Sequence, residues 1–121
     1  MGDGSMKTLR ERAPVFQYYV VRANRGKARI WLEGNRISHA GLSVGDRFDL
    51  DIIAGQHLRI KKAEDGARKV SGKGDRPIID LSGASCAPFN TGDAVALEYH
   101  PHGTIYVKPD EHAQKRYGGE S

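Results

Sequence analysis

The chain has 121 residues, a formal net charge of +4 and a pI near 9.3, so it is long enough for one compact domain with a shared core. It contains no apolar stretch long enough to span a bilayer, and its N-terminus lacks the apolar core of a signal peptide. Its single cysteine, Cys86, cannot form an internal disulfide. We therefore expect a cytoplasmic protein with no membrane partner.

The two ends of the chain are predicted to lie outside the folded domain. Residues 1–6 read MGDGSM, which has the composition of a vector-derived tail, and residues 110–121 lack apolar periodicity, which is typical of a flexible tail. Residues 7–109 are predicted to form a single domain. Within it we distinguish two repeats, at about 15–62 and 68–109.

In chain order, the first signal is the strand VFQYYVV, which is rich in β-branched and aromatic residues. Each repeat later carries a hairpin in which apolar and polar residues alternate with a period of two. In the first repeat the alternating apolar residues end at a turn around Gly55, and in the second repeat at a turn around Gly103. These inward-facing positions are Phe48, Leu50, Ile52, Leu58 and Ile60, then Val95, Leu97, Tyr99, Ile105 and Val107.

A shift of 47 positions aligns the repeats without a gap from Arg22 to Lys61. It places Arg29 on Arg76, and the Gly-Asp pair of the first repeat on the Gly-Asp pair of the second. The glycine of each pair suits an unusual φ, and the aspartate suits a local backbone hydrogen bond. The second repeat departs in two ways. Pro88 shortens its helical segment, and without a counterpart to VFQYYVV its first strand must be brief, around Arg68 to Val70.

The order of strand, basic loop, strand, short helix, Gly-Asp turn and hairpin resembles the AbrB/MazE/SpoVT superfamily. The segment RIWLEGNRISHAGLSVGDRFDLDIIAGQHLRI is similar to its SymE-like branch. The resemblance implies a mostly β, swapped-hairpin small barrel with short helical turns, formed here by two pseudo-two-fold related units in one chain. It also implies a DNA-binding transcriptional regulator or antitoxin, with SymE-like members described as toxins acting on nucleic acid.

Members of the superfamily that the chain resembles contact DNA through a loop. The resemblance implies that this loop corresponds to RANRGKAR in the first repeat and to RKVSGKGDR in the second. Cations in such loops neutralise phosphates, and arginines that reach base edges provide sequence choice. The candidate DNA-binding residues are Arg22, Arg25, Lys27, Arg29, Arg68, Lys69, Lys73 and Arg76. The alternative interpretation is a solvated loop on a basic protein.

Two other functions stay open. One is a SymE-like enzyme that cleaves RNA, for which His57, His100 and His102 are the available acid–base groups, without a compelling carboxylate partner. The other is a protein-interaction module of a toxin–antitoxin or phage-defence system, acting through exposed strand edges.

We expect no enzyme, no cofactor and no metal. Duplex DNA is the expected partner, with RNA second, for a monomeric barrel or a homodimer of barrels associated with the nucleoid. Trp31 is expected in the barrel core, and His39 and Cys86 are expected to pack in the core.

Overall fold

The computed structural model describes residues 13–111, which are mostly β and form two antiparallel sheets. The predicted N-terminal tail and all but the first two residues of the predicted C-terminal tail lie outside this range. The six-stranded sheet has the order β1-β9-β10-β5-β4-β6. Its strands are β1 (Val15–Val20), β4 (Arg47–Ile53), β5 (His57–Lys62), β6 (Arg68–Lys69), β9 (Ala94–His100) and β10 (Thr104–Pro109).

The four-stranded sheet is built from the two basic hairpins and has the order β2-β3-β8-β7. Its strands are β2 (Arg22–Asn24), β3 (Lys27–Glu33), β7 (Ser71–Lys73) and β8 (Arg76–Ser82). A short helix, α1 (Asn35–His39), follows β3, and a 3-10 helix (Gly83–Cys86) follows β8. The first strand of the second repeat is β6, as short as the sequence predicted.

The first strand of each repeat pairs with the hairpin of the other repeat. Strand β1 pairs with β9 over six residues, whereas β6 pairs with β4. At the end of each exchanged strand a valine joins the Gly-Asp turn of the opposite repeat: Val21 N–H donates to Asp93 O at 2.9 Å, and Val70 N–H donates to Asp46 O at 2.8 Å. The chain then passes from one sheet to the other at each valine.

The Gly-Asp turns have the conformation that the sequence predicted. Gly45 and Gly92 have φ of 95° and 94°, where a side chain would be strained. The Asp46 carboxylate accepts a hydrogen bond from Ser43 N–H at 2.8 Å, and the equivalent carboxylate of Asp93 accepts one from Asn90 N–H at 2.8 Å. The two turns therefore hold the strand crossings in the same way.

The repeats are related by two offsets, not by one. Strands β4 and β5 match β9 and β10 with the predicted offset of 47, but β2 and β3 match β7 and β8 with an offset of 49. The gapless alignment is therefore wrong before the helices, and Arg76 corresponds to Lys27 instead of Arg29. The difference arises where the five-residue α1 of the first repeat is replaced by a four-residue 3-10 helix in the second.

Residues related by these offsets lie directly opposite each other at the centre of each sheet. Trp31 is paired with Asp80 between β3 and β8, and Arg59 is paired with Tyr106 between β5 and β10. The repeats therefore have an approximate two-fold relation, and they share one hydrophobic core between the sheets. The largest fully buried side chains come from both repeats: Tyr99, Ile30, Leu32, Ile37, Leu42, Leu58, Ile60, Ile79, Leu81, Leu97, Ile105 and Val21.

The prediction of a closed barrel is wrong for residues 13–111. The sheets are open, with β1 and β6 at the edges of one and β2 and β7 at the edges of the other. Closure needs a continuous ladder of strands around the core. With only two residues, β6 is too short to extend that ladder.

Candidate nucleic-acid interface

The first basic loop is the tight hairpin between β2 and β3. Arg25 and Gly26 form its tip with φ of 56° and 79°, the left-handed pair of values that a type I′ turn requires. Arg22 lies opposite Arg29 across the two strands. Because residues two apart on a strand share a face, Lys27 is on the same face as these two arginines.

The second basic hairpin joins the same surface. Lys73 pairs with Arg76 on either side of the turn at Gly74 and Asp75. Since β8 is hydrogen-bonded to β3, the two hairpins form one sheet. By register and alternation, its outer face, which we call the basic face, carries Arg22, Lys27, Arg29, Lys73 and Arg76, with Arg25 at one tip.

Arg29 lies near the middle of the basic face and is held in place by its neighbours. Its Nε and Nη2 donate to the two carboxylate oxygens of Asp80 at 3.0 and 3.1 Å. The guanidinium also lies 4.6 Å from the centre of the Trp31 ring, a cation–π distance. The hydrogen bond to Asp80 is the main cause that raises the pKa of Arg29, so this cation is fixed and already paired.

Arg76 is paired in a similar way with Glu33. The two groups are joined at 2.9 Å from Nε to Oε2, and Trp31 Nε1–H donates to the other oxygen at 2.8 Å. The Trp31 hydrogen bond and then the Arg76 hydrogen bond lower the pKa of Glu33. Trp31 therefore lies half-buried on the basic face, and the prediction that it belongs to the core is wrong, because Ile30 and Leu32 take the inward positions of β3.

Three cations of the first hairpin are exposed and lack ion-pair partners among residues 13–111. They are Arg22, Arg25 and Lys27. On the second hairpin, Lys73 is likewise exposed and has no ion pair within the described part of the chain. The basic face thus combines four unpaired cations with two paired arginines, Arg29 opposite Arg22 and Arg76 opposite Lys73.

The structure separates Arg68 and Lys69 from the other predicted residues. Both belong to β6 in the six-stranded sheet, where Lys69 lies opposite Arg47. Arg68 is half-buried and its Nη2 donates to Ser85 Oγ at 2.8 Å. The second basic stretch is therefore split at Val70, and only Lys73 and Arg76 reach the basic face. No feature of the sequence predicted this crossing between sheets.

Sequence reasoning also missed a polar cluster on the β9–β10 hairpin. His100 Nε2 lies 3.1 Å from Glu98 Oε1, and Lys108 Nζ lies 3.0 Å from the same oxygen. The Tyr106 ring packs edge-on against the His100 ring at 5.4 Å. Burial acts to raise the pKa of Glu98, but the hydrogen bonds from His100 and Lys108 outweigh it and lower that pKa. The spacing of two between Glu98 and His100 was the available signal.

Two other residues considered in the sequence analysis, Cys86 and His39, make contacts that support the fold. Cys86 is fully buried, as predicted, and its thiol, with a pKa raised by desolvation, donates to Leu81 O at 3.3 Å. His39 is only half-buried, so its expected place in the core is wrong, and its Nε2 lies 2.7 Å from Ala13 O. Among residues 13–111, no group of three or more His, Cys, Asp or Glu side chains is arranged to hold a metal.

Comparison of the chain with protein-family models, curated proteins and solved structures gives no significant match. Within the described range, no helix has the length and apolar character needed to cross a membrane.

Proposed function

We propose that this chain is a DNA-binding protein that contacts duplex DNA through its basic face. The observation that supports this most directly is the joining of two basic hairpins, from two repeats, in one sheet. The proposal includes a swapped-hairpin relationship to the AbrB/MazE/SpoVT superfamily, supported by the exchange of first strands between repeats. It also includes a role as a cytoplasmic, nucleoid-associated regulator or antitoxin.

The dimensions of the basic face suit a duplex. By the β3–β8 register, the tips at Arg25 and Gly74 are about twelve residues apart along the strand direction. At a rise of about 3.3 Å per residue this is roughly 35–40 Å. One turn of B-DNA spans about 34–36 Å, so each tip can meet the same groove on successive turns.

The cations divide into two roles under this proposal. Arg22, Arg25, Lys27 and Lys73 are free to neutralise phosphates, which positions the protein without reading sequence. Arg29 and Arg76 are oriented by carboxylates, so their remaining N–H groups have a defined direction. Four phosphate contacts predict a log–log salt slope of about −3.6, because each contact contributes about −0.9.

The test is fluorescence anisotropy of a labelled mixed-sequence duplex across a salt series. The test variant is Arg22→Gln/Arg25→Asn/Lys27→Gln, in which the slope should fall to about −0.9 and binding at 0.1 M salt should weaken roughly 500-fold. Trp31, the single tryptophan, lies on the basic face and should change its emission when wild-type protein binds. As controls, Lys61→Gln and Lys69→Gln each remove one charge from the six-stranded sheet and should leave the slope near −3.6.

Absence of binding between the protein and the duplex at low salt would contradict the proposal. An equal loss of affinity in the control variants would also contradict it, because attraction would then depend on net charge and not on the basic face.

A second candidate, RNA cleavage, is favoured by the Glu98–His100 pair. This carboxylate holds the imidazole that would accept a proton from a ribose 2′-hydroxyl. The 2′-oxygen would then bond to the adjacent phosphorus as the bond from phosphorus to the 5′-oxygen breaks. The proton taken by the imidazole would pass, through water, to the departing 5′-oxygen, giving a 2′,3′-cyclic phosphate and a 5′-hydroxyl. Incubation with a labelled RNA tests this: cleavage lost in His100→Gln but kept in His102→Gln supports it, and uncut RNA contradicts it.

A further inference from the structure

One edge of the six-stranded sheet is open along most of β4. Strand β6 pairs with Arg47 and Phe48, and the pairing ends there. Beyond Phe48, no other strand of the described chain lies on this side of β4, whose opposite side is fully paired with β5. An uncovered strand edge presents backbone donors and acceptors that another strand can use.

The hydrogen-bond alternation identifies which groups face outward. On the open side, Asp46 O accepts from Val70 N–H at 2.8 Å, whereas Arg47 O accepts from Ala63 N–H at 3.0 Å on the β5 side. Successive residues of an antiparallel strand alternate between the two sides. The N–H and C=O groups of Leu50 and Ile52 therefore point to the open edge.

The equivalent edge in the other repeat is covered by β1. Leu97 and Tyr99 correspond to Leu50 and Ile52, and they pair with Gln17 and Val15. Tyr99 is 1% exposed and its hydroxyl donates to Gln17 Oε1 at 2.7 Å, whereas Ile52 is 50% exposed. The molecule itself thus shows what kind of segment covers such an edge: an extended strand antiparallel to it.

The linker between the repeats explains why β6 cannot provide this cover. Ala63 still pairs with Arg47 at the end of the β4–β5 hairpin, so the chain must cross β4 at once to reach β6. It crosses against the backbone of Phe48, where a Cβ on Gly66 would lie 2.6 Å from Phe48 atoms. A longer first strand would have to start beside Ile52, which the linker cannot reach within a few residues.

A cleft of about 250 Å³ runs beside the open edge. Leu50, Ile52 and Leu58 supply apolar wall, and Arg68, with its hydrogen bond to Ser85, lies at the end where β6 stops. Side chains of an added strand that point inward at Leu50 and Ile52 would enter this cleft. Asp51 also lines the cleft, and by the alternation along β4 its carboxylate, which pairs with Arg59 at 3.1 Å, points to the other face of the sheet.

We infer that the open edge of β4 binds an extended peptide segment of a partner protein, antiparallel to β4, as β1 is to β9. The segment carries β-branched or other apolar residues opposite Leu50 and Ile52 and a basic residue beside Asp51. A second copy of this chain fits less well, because a two-fold pairing centred on Asp51 would place two Asp51 carboxylates directly opposite each other. This site is separate from the basic face.

The probe is the peptide Thr-Val-Lys-Val-Lys-amide with fluorescein attached at its N-terminus, whose two valines align with Ile52 and Leu50. Binding is measured by anisotropy, together with amide hydrogen exchange of the protein. The edge variant is Ile52→Pro, which removes a donor that the sheet does not use, and Ile52→Val is its matched control. A peptide methylated at both valine nitrogens tests the same hydrogen bonds from the other side.

The free protein should exchange the Leu50 and Ile52 amides faster than those of Leu97 and Tyr99, and the peptide should slow them. Binding should weaken at least about tenfold in Ile52→Pro and with the methylated peptide, but stay within about twofold in Ile52→Val.

Absence of peptide binding up to millimolar concentration would overturn the inference, as would equal binding of the methylated peptide. Protection of Leu50 and Ile52 without peptide would also overturn it, since the edge would then be covered by this chain's own ends or by a second copy. Mass measurement in solution separates those two cases.

Discussion

Replacing Gly66 with alanine tests the crossing of the linker over β4. The added Cβ would lie 2.6 Å from the Phe48 N, C and O atoms, well inside ordinary contact distance. Phe48 is fixed by its pairing with both Lys62 and Arg68, so the linker has to move instead.

Movement of the linker would disturb three hydrogen bonds. They are Gly66 N–H to Ala63 O at 3.0 Å, Arg47 Nη1–H to Gly66 O at 3.3 Å, and Ala67 N–H to Asp49 Oδ1 at 3.0 Å. At about 1 kcal/mol each they amount to roughly 3 kcal/mol. The lower entropy of the unfolded alanine chain offsets about 0.5–1 kcal/mol, leaving a destabilisation of about 2 kcal/mol.

The assay is urea unfolding followed by far-UV circular dichroism, with thermal unfolding as a second measure. For a domain of this size the expected fall in Tm is about 8–16 °C. Gly55→Ala is the control: its φ is 68° and a Cβ there meets nothing within 4 Å, so only the backbone strain of about 1 kcal/mol applies. If Gly66→Ala costs less than Gly55→Ala, the linker does not press on β4 and the account of the open edge fails.

Two further predictions follow from single side chains. Burial raises the pKa of Tyr99 to about 12, so its neutral form stabilises the folded state fully below pH 10, and that stability is lost as the pH rises towards 12. Wild-type protein should lose roughly 2–3 kcal/mol more than Tyr99→Phe over this range in urea titrations, and parallel curves would contradict the assignment. Arg25 occupies the left-handed region at φ 56°, so Arg25→Asn should raise the unfolding free energy by about 0.5 kcal/mol while reducing the DNA salt slope by about 0.9; a loss of stability would argue against the type I′ turn.

Local signals predicted the elements of this fold well. Alternation predicted the strands of both hairpins, and the inward positions of β9, Val95, Leu97 and Tyr99, are all buried. The prediction that Ile52 of β4 is also buried is wrong: it is 50% exposed, because no strand covers that edge. The Gly-Asp turns were equally predictable, since both their φ values and their carboxylate hydrogen bonds are properties of short segments. The shortness of β6 was predictable because the second repeat has no β-branched and aromatic segment at the position equivalent to VFQYYVV.

The pairing of distant elements was harder to predict. The single offset of 47 is wrong because the segment that contains the helix differs in length by two residues between the repeats. A shift of two residues keeps alternating side chains on the same faces of a strand, so the offsets of 47 and 49 both place apolar residues inward. Trp31 was predicted in the core and lies on the outer face instead, because an aromatic residue suits either face of a half-buried sheet.

The candidate site was predicted in part. Six of the eight cations belong to the hairpins of the basic face, but Arg68 and Lys69 precede the crossing at Val70 and lie in the other sheet. Adjacency in sequence does not reveal such a crossing. The sequence also did not predict that Asp80 and Glu33 pair with Arg29 and Arg76, because these ion pairs depend on the β3–β8 register.

The exchange of first strands has a consequence for how the protein comes to be folded. Every pair in the β1–β9 ladder joins residues 74 to 84 positions apart in the chain. Neither repeat can complete its own sheet, so a ribosome must synthesise nearly the whole domain before β1 finds its partner. High contact order of this kind is associated with folding in milliseconds to seconds. Until β9 is made, the apolar and aromatic β1 stays uncovered, and the nascent chain is at its most exposed to aggregation and to chaperones.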